Sequence, residues 1–228
     1  MRILVPGWDR RSSEVALELA ARHPDLLDVA VGVHPHHAAA TTPADWRALE
    51  ALAADPAARA IGEIGLDYHR NLSPPSVQRD AFARQLDLAA RVRKPVVVHD
   101  RDAHADVLAA LLAWAPRAGR ATPGMLHCFS GDTQMAAALA AAGFLVSFAL
   151  PVSFSSNHAT RAAAMALAGD DILVETDSPY LGVAPDRRNE PPTTIRVAAA
   201  LARLRETEPQ TIALSAAASY RRLVAASP

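Results

Sequence analysis

Pro95-Val96-Val97-Val98-His99 sets three consecutive β-branched residues behind a proline and ends them on a histidine. A strand with one wet face alternates apolar and polar residues. A short unbroken apolar run is instead the mark of a parallel strand covered on both faces. Ile172-Leu173-Val174 reads the same way. Moving outward, shorter or mixed runs recur at Ile3–Val5, Val29–Val33, Ala60–Ile64, Gly124–Leu126 and Phe144–Phe148. Their starts are roughly 20 to 35 residues apart, the length of a βα unit. Helical patterns fill the gaps. Ser12–Arg22 opens on Ser12-Ser13 as caps, with Glu14 in its first turn. Gln78–Arg91 places Phe82, Leu86 and Ala89 on one face, and Thr133–Ala142 and Ile195–Arg205 are similar. Two successive helices, Thr193–Arg205 and Pro209–Val224, close the chain. The expectation is an α/β protein with a TIM-type (β/α)8 barrel, here counted at seven strands, as one domain over residues 1–228.

Composition narrows the function classes. With 228 residues, 50% hydrophobic and 21% charged, the chain is long and apolar enough for one sizeable core. The formal net charge of −1 lacks the basic excess common in nucleic-acid binders. A local arginine patch can still hold a phosphate on a neutral protein. Lys94 is the sole lysine, and the alanine and arginine richness reads as genome bias. Cys128 is the sole cysteine, which rules out an internal disulfide and favours a reducing compartment. The opening Met1-Arg2-Ile3-Leu4-Val5-Pro6 lacks a signal-peptide pattern, and no run is long enough to span a membrane. A cytoplasmic protein without a membrane partner is expected. No Gly-rich phosphate loop occurs, so no nucleotide cofactor is expected.

Polar residues recur at equivalent places. His34 ends the second run, Glu63 sits in the third, His99 and His127 end the fourth and fifth, and Asp177 follows the last. In a β/α barrel the C-terminal strand ends share one mouth, which holds the active site. Imidazoles with carboxylates are the ligand set of Zn²⁺, Mn²⁺ or a similar divalent ion, and a carboxylate can bridge two such ions. A lone histidine after a strand is ordinarily a loop residue, and Asp177-Ser178-Pro179 alone is a plausible turn. Five such residues in register make a site the better reading. Cys128 reads as core, Ser130-Gly131 as a turn, His36 and His37 as solvated or as supports behind the ligands, and the tryptophans Trp8, Trp46 and Trp114 as packing residues.

Gly62-Glu63-Ile64-Gly65-Leu66-Asp67 and His127-Cys128-Phe129-Ser130-Gly131 resemble the TatD family of metal-dependent deoxyribonucleases, within the amidohydrolase-like barrels. Val33-His34-Pro35-His36, Val98-His99-Asp100-Arg101, Glu175-Thr176-Asp177-Ser178-Pro179 and Asn189-Glu190-Pro191 extend the likeness along nearly the whole chain. The resemblance implies hydrolysis of phosphodiester bonds in DNA, as a 3′-5′ exonuclease. It implies Glu63, His99, His127 and Asp177 as metal ligands, with Glu63 and Asp177 also catalytic. It implies His34, Arg101, Arg188 and Asn189, with Arg187, near substrate. Two ions, Mg²⁺, Mn²⁺ or Zn²⁺, are usual for the family.

Members of the family normally open on an Asp-x-His-x-His strand, and none precedes Ile3. That matches the count of seven strands and leaves one ion, held by Glu63, His99 and His127, as the one expected to be retained. DNA or another phosphodiester is the expected partner. The alternatives are a related metal-dependent hydrolase of another ester or amide, and a truncated barrel that is either catalytically impaired or assigned the wrong start.

Overall fold

The computed structural model describes residues 2–182 and 188–225. These fall into two compact units: one runs to Met125 and takes in Val224, and the other lies within Leu126–Leu223.

In the first unit strands and helices alternate: β1 (Ile3–Pro6), α1 (Arg10–Arg22), β2 (Leu27–Val31), α2 (Pro43–Leu52), β3 (Ala58–Asp67), α3 (Pro75–Val92), β4 (Val96–Arg101) and α4 (His104–Trp114). β1 pairs with β2, β2 with β3 and β3 with β4, each in parallel. Val29, Ala30, Ile61, Ile64, Val96 and Val98 are fully buried, as strands covered on both faces require. β5 (Gly124–Leu126) lies at the junction in sequence between the two units. The second unit contains α5 (Thr133–Ala141), the parallel pair β6 (Leu145–Phe148) and β7 (Ile172–Val174), α6 (His158–Ala166), α7 (Thr194–Leu204) and α8 (Pro209–Val224). The seven strands among the described residues, each leading into a helical segment, make this a TIM-type α/β fold.

Several expectations shift at element ends. α1 begins at Arg10, and Asp9 rather than the serine pair is its N-cap: Ser12 N–H donates to Asp9 Oδ1 at 2.7 Å, and Ser12 Oγ takes the Asp9 N–H in return. β3 continues to Asp67, so Glu63 lies mid-strand rather than at a strand end. β2 stops at Val31, two residues earlier than expected, so His34 stands on a loop. Short helices α2, α4 and α6 were not singled out in the sequence.

Two buried glutamines hold the ends of β2 and β3 in place. Gln85 Oε1 accepts the Val33 N–H at 2.7 Å, and its Nε2 donates to Val33 O at 3.0 Å. Gln78 treats Asp67 identically, at 2.8 and 3.0 Å. Seven residues apart, they lie two turns along one face of α3, among Phe82, Leu86 and Ala89. Each supplies the strand-like hydrogen bonds that the backbone needs where pairing has stopped.

Candidate functional site

His34, Glu63 and His99 come together in the first unit, each offering a ligand atom within 4.8 Å of the others. The adjacency begins in β3 and β4, where Gly65 pairs with His99 and Asp67 with Arg101. Side chains alternate along a strand, so Glu63, Gly65 and Asp67 share a face. His99 Nδ1 lies 3.0 Å from Glu63 Oε1, and its Nε2 lies 3.2 Å from Asp67 Oδ2. One imidazole is thus flanked by two carboxylates, a charge arrangement balanced by a proton or by a bound cation.

Asp67 is 1% exposed. Burial pushes its carboxyl up, but hydrogen bonds from His99, the Arg70 N–H and His36 outweigh burial and hold it well below the usual carboxylate range. His36 Nε2 approaches Asp67 Oδ2 at 2.7 Å. His36 is therefore tied into the cluster through Asp67.

His34 differs in tautomer. Its Nδ1 accepts the His36 N–H at 3.2 Å, so in the neutral ring Nε2 carries the proton, 3.4 Å from Glu63 Oε1. Burial pushes its pKa down, against the pull of Glu63, which favours that neutral ring. His34 is a hydrogen-bond donor beside Glu63, whereas a ligating nitrogen needs a lone pair. Two donor atoms bound tetrahedrally at about 2.0–2.2 Å lie roughly 3.3–3.6 Å apart, and closer in an octahedron. The 3.0 Å between Glu63 and His99 fits such a site, with Asp67 securing the far nitrogen of the ring.

In the second unit His127 follows β5, and its Nδ1 lies 3.1 Å from Glu175 Oε1. Glu175 also accepts the Cys128 N–H at 2.8 Å and the Ser147 hydroxyl at 2.5 Å. With Nδ1 as the donor, Nε2 of His127 carries the ring's lone pair. Asp177 sits two residues beyond Glu175 with φ 56°, and Cys128 has φ 45°. Both are left-handed conformations uncommon for non-glycine residues, and such positions concentrate at functional sites.

The remaining expected residues lie at the end of β4 and on the loop before α7. Arg101 ends β4 and Arg188 precedes α7; both are exposed. Asn189 is 3% exposed, and its amide is engaged by the loop: Nδ2 donates to Thr176 O at 2.6 Å, and Oδ1 accepts the Glu190 N–H at 3.0 Å. Arg187 lies outside the described residues. Trp114 is buried as a packing residue, but Trp8 is 53% exposed and is not one. Asp67 and Glu175 were not singled out from sequence, whereas His36, read as solvated or as a support behind the ligands, touches Asp67. Asp67 had a legible signal, four residues from Glu63 on one strand face.

A family model for TatD related DNase matches residues 1–225. The chain belongs to the TatD family. A TatD protein of Erwinia billingiae, named a 3′-5′ ssDNA/RNA exonuclease, is 37% identical over 97% of this chain and 86% of its own length. The TatD protein of Mycobacterium tuberculosis, named an uncharacterized metal-dependent hydrolase, is 40% identical over 94% of this chain and 77% of its own. Among solved structures, the TatD homolog YjjV of Escherichia coli superposes with a TM-score of 0.88 at 27% identity, covering 97% of this chain and 85% of that one. This TatD-family chain is a metal-dependent hydrolase, an enzyme acting on ester bonds. No described helix is long and apolar enough to cross a membrane.

Proposed function

We propose that the chain shortens single-stranded DNA or RNA from the 3′ end, as a divalent-metal-dependent phosphodiesterase of the cytoplasm working as one catalytic domain. The observation that carries this reading is the division of labour among imidazoles. His99 and His127 each have one ring nitrogen held by a supporting carboxylate, Asp67 or Glu175, while the ring of His34 is held at Nδ1 by a backbone N–H.

In this proposal Glu63 and His99 of the first unit are metal ligands, as are His127 and Asp177 of the second, and Asp67 and Glu175 fix the rings of His99 and His127. A bound divalent ion supplies Lewis acidity at the phosphoryl group and lowers the pKa of water. Glu63 brings the negative charge that attracts the ion. Asp177 orients the attacking water and receives its proton. His34, neutral and protonated at Nε2, donates to a phosphate oxygen. Arg101 and Arg188, both exposed, add positive charge for the backbone of the strand. Asn189 acts by holding the loop after β7.

The test is a 3′-to-5′ ladder. A 5′-labelled oligonucleotide with added Mg²⁺, Mn²⁺ or Zn²⁺ should lose one nucleotide at a time from its 3′ end. Chelator should stop this and fresh metal restore it. Internal cuts, or cleavage that survives chelation, would overturn the proposal.

Asp67→Asn tests the support beneath the site. An amide can offer an oxygen to His99 Nε2, but without the buried charge that raises the basicity of the ring. Calorimetric metal affinity should fall roughly 10- to 100-fold. Unchanged affinity in a variant with native circular dichroism would remove Asp67 from the metal site.

A further inference from the structure

Trp8 is the one tryptophan whose exposure packing does not explain. Trp114 is 3% exposed, and Trp46 lies beneath the Arg84 guanidinium at 4.7 Å. Trp8 is 53% exposed. A single exposed apolar side chain is ordinary on a protein surface. Trp8 differs because its backbone is bound to the candidate site. Its carbonyl accepts the His34 N–H at 3.0 Å, and the preceding Gly7 carbonyl accepts the Glu63 N–H at 2.8 Å. Its own N–H donates to Ser12 Oγ at 2.9 Å, at the capped start of α1. Two consecutive carbonyls therefore bond two of the three clustered residues, and the indole is left to solvent from a backbone fixed on both sides.

We propose that the Trp8 indole is a stacking platform for the terminal base of a single-stranded substrate, a specificity-determining residue that presents the adjoining phosphodiester to His34 and Glu63. This rests on the phosphodiesterase reading above. Stacking suits an unpaired base: in a duplex the base faces are covered by their neighbours, while a single strand or a frayed end exposes them. It also suits a chain of net charge −1, which has no overall basic excess to draw a polyanion. A stacked base adds affinity that is indifferent to sequence, because every base has a π face.

The experiment compares two oligothymidylates, one with a normal 3′ nucleotide and one ending in a tetrahydrofuran abasic nucleotide, both hydrolysed by the full chain with Mn²⁺. The wild type should show a KM about tenfold lower for the normal 3′ end, within what one base–aromatic stack contributes. Trp8→Ala should erase that preference by raising KM for the normal substrate about tenfold, and Trp8→Phe should restore most of it. Metal affinity by calorimetry should not move in either variant. In chelator, where turnover stops, the oligonucleotide should quench tryptophan emission in the wild type and not in Trp8→Phe. If the wild type hydrolyses both ends equally well, the nuclease reading stands and the Trp8 proposal is wrong. Full quenching in Trp8→Phe would also overturn it, as would a concentration-dependent dimer lost in Trp8→Ala, which would mean that a second copy covers the indole. If neither oligonucleotide is bound or cleaved, the phosphodiesterase reading fails first and Trp8 with it.

Discussion

Glu63→Gln should lower phosphodiester hydrolysis on the order of a thousandfold or more while leaving the fold in place. Glutamine keeps the shape and hydrogen-bonding reach of glutamate and removes its charge. That charge is what brings Glu63 Oε1 within 3.0 Å of His99 Nδ1 and 3.4 Å of His34 Nε2 to use. An ion held against the phosphoryl group contributes several kcal/mol of charge stabilisation, and each 1.36 kcal/mol is a factor of ten in rate. The measurement is kcat on a 5′-labelled oligonucleotide with metal titrated to saturation, beside circular dichroism and calorimetry. Metal affinity and turnover should fall together. Excess metal should recover little, because the lost carboxylate also sets where the ion sits. Near-normal turnover in a folded Glu63→Gln protein would take Glu63 out of the mechanism.

The fold was legible because its signal is local. Val96-Val97-Val98 and Ile172-Leu173-Val174 carry the covered-strand pattern in three residues each, and both are strands. Glu63 and His99 were legible from the βα repeat, which sets polar residues at equivalent places in neighbouring strands, although β3 and β4 run on to Asp67 and Arg101, so neither residue ends its strand as expected. What remained hidden depends on contacts distant in sequence. Gln85 bonds Val33 across 52 positions. Read alone, it is one polar residue on the apolar face of α3, with no hint that it completes the backbone of a loop. His34 illustrates a subtler limit. Sequence places a histidine at the mouth, but its role turns on which nitrogen holds the proton. That depends on the His36 N–H, fixed only once Pro35 and His36 turn into a short 3₁₀ segment. Trp8 was misread because packing is the usual fate of tryptophan, and the sequence does not show that its indole is exposed on a backbone bonded to His34.

Gly65→Ala should destabilise the protein by about 3 kcal/mol or more, a large part of the roughly 5–15 kcal/mol that holds a typical domain folded. Gly65 lies in β3 at φ +138°, a conformation that side-chain-bearing residues rarely adopt. A Cβ there would stand 2.0 Å from the His99 carbonyl oxygen, 2.9 Å from its carbon and 3.0 Å from its nitrogen. All three atoms are backbone, so no rotamer change relieves the clash. Relief requires β3 and β4 to separate along the ladder that pairs Ile64 with Val98, Leu66 with Asp100 and Asp67 with Arg101. Separation would also pull His99 away from both Glu63 and Asp67, so metal affinity should be lost with stability. Gly119→Ala is the control. Gly119 has φ +65°, and a Cβ added there meets nothing within 4 Å. Its variant bears only the cost of a left-handed alanine, about 1 kcal/mol. Urea unfolding of both variants separates the two effects. A Gly65→Ala protein as stable as Gly119→Ala, with metal still bound, would show that the two strands can part without disturbing the site. The close approach of Gly65 to His99 would then be incidental to it.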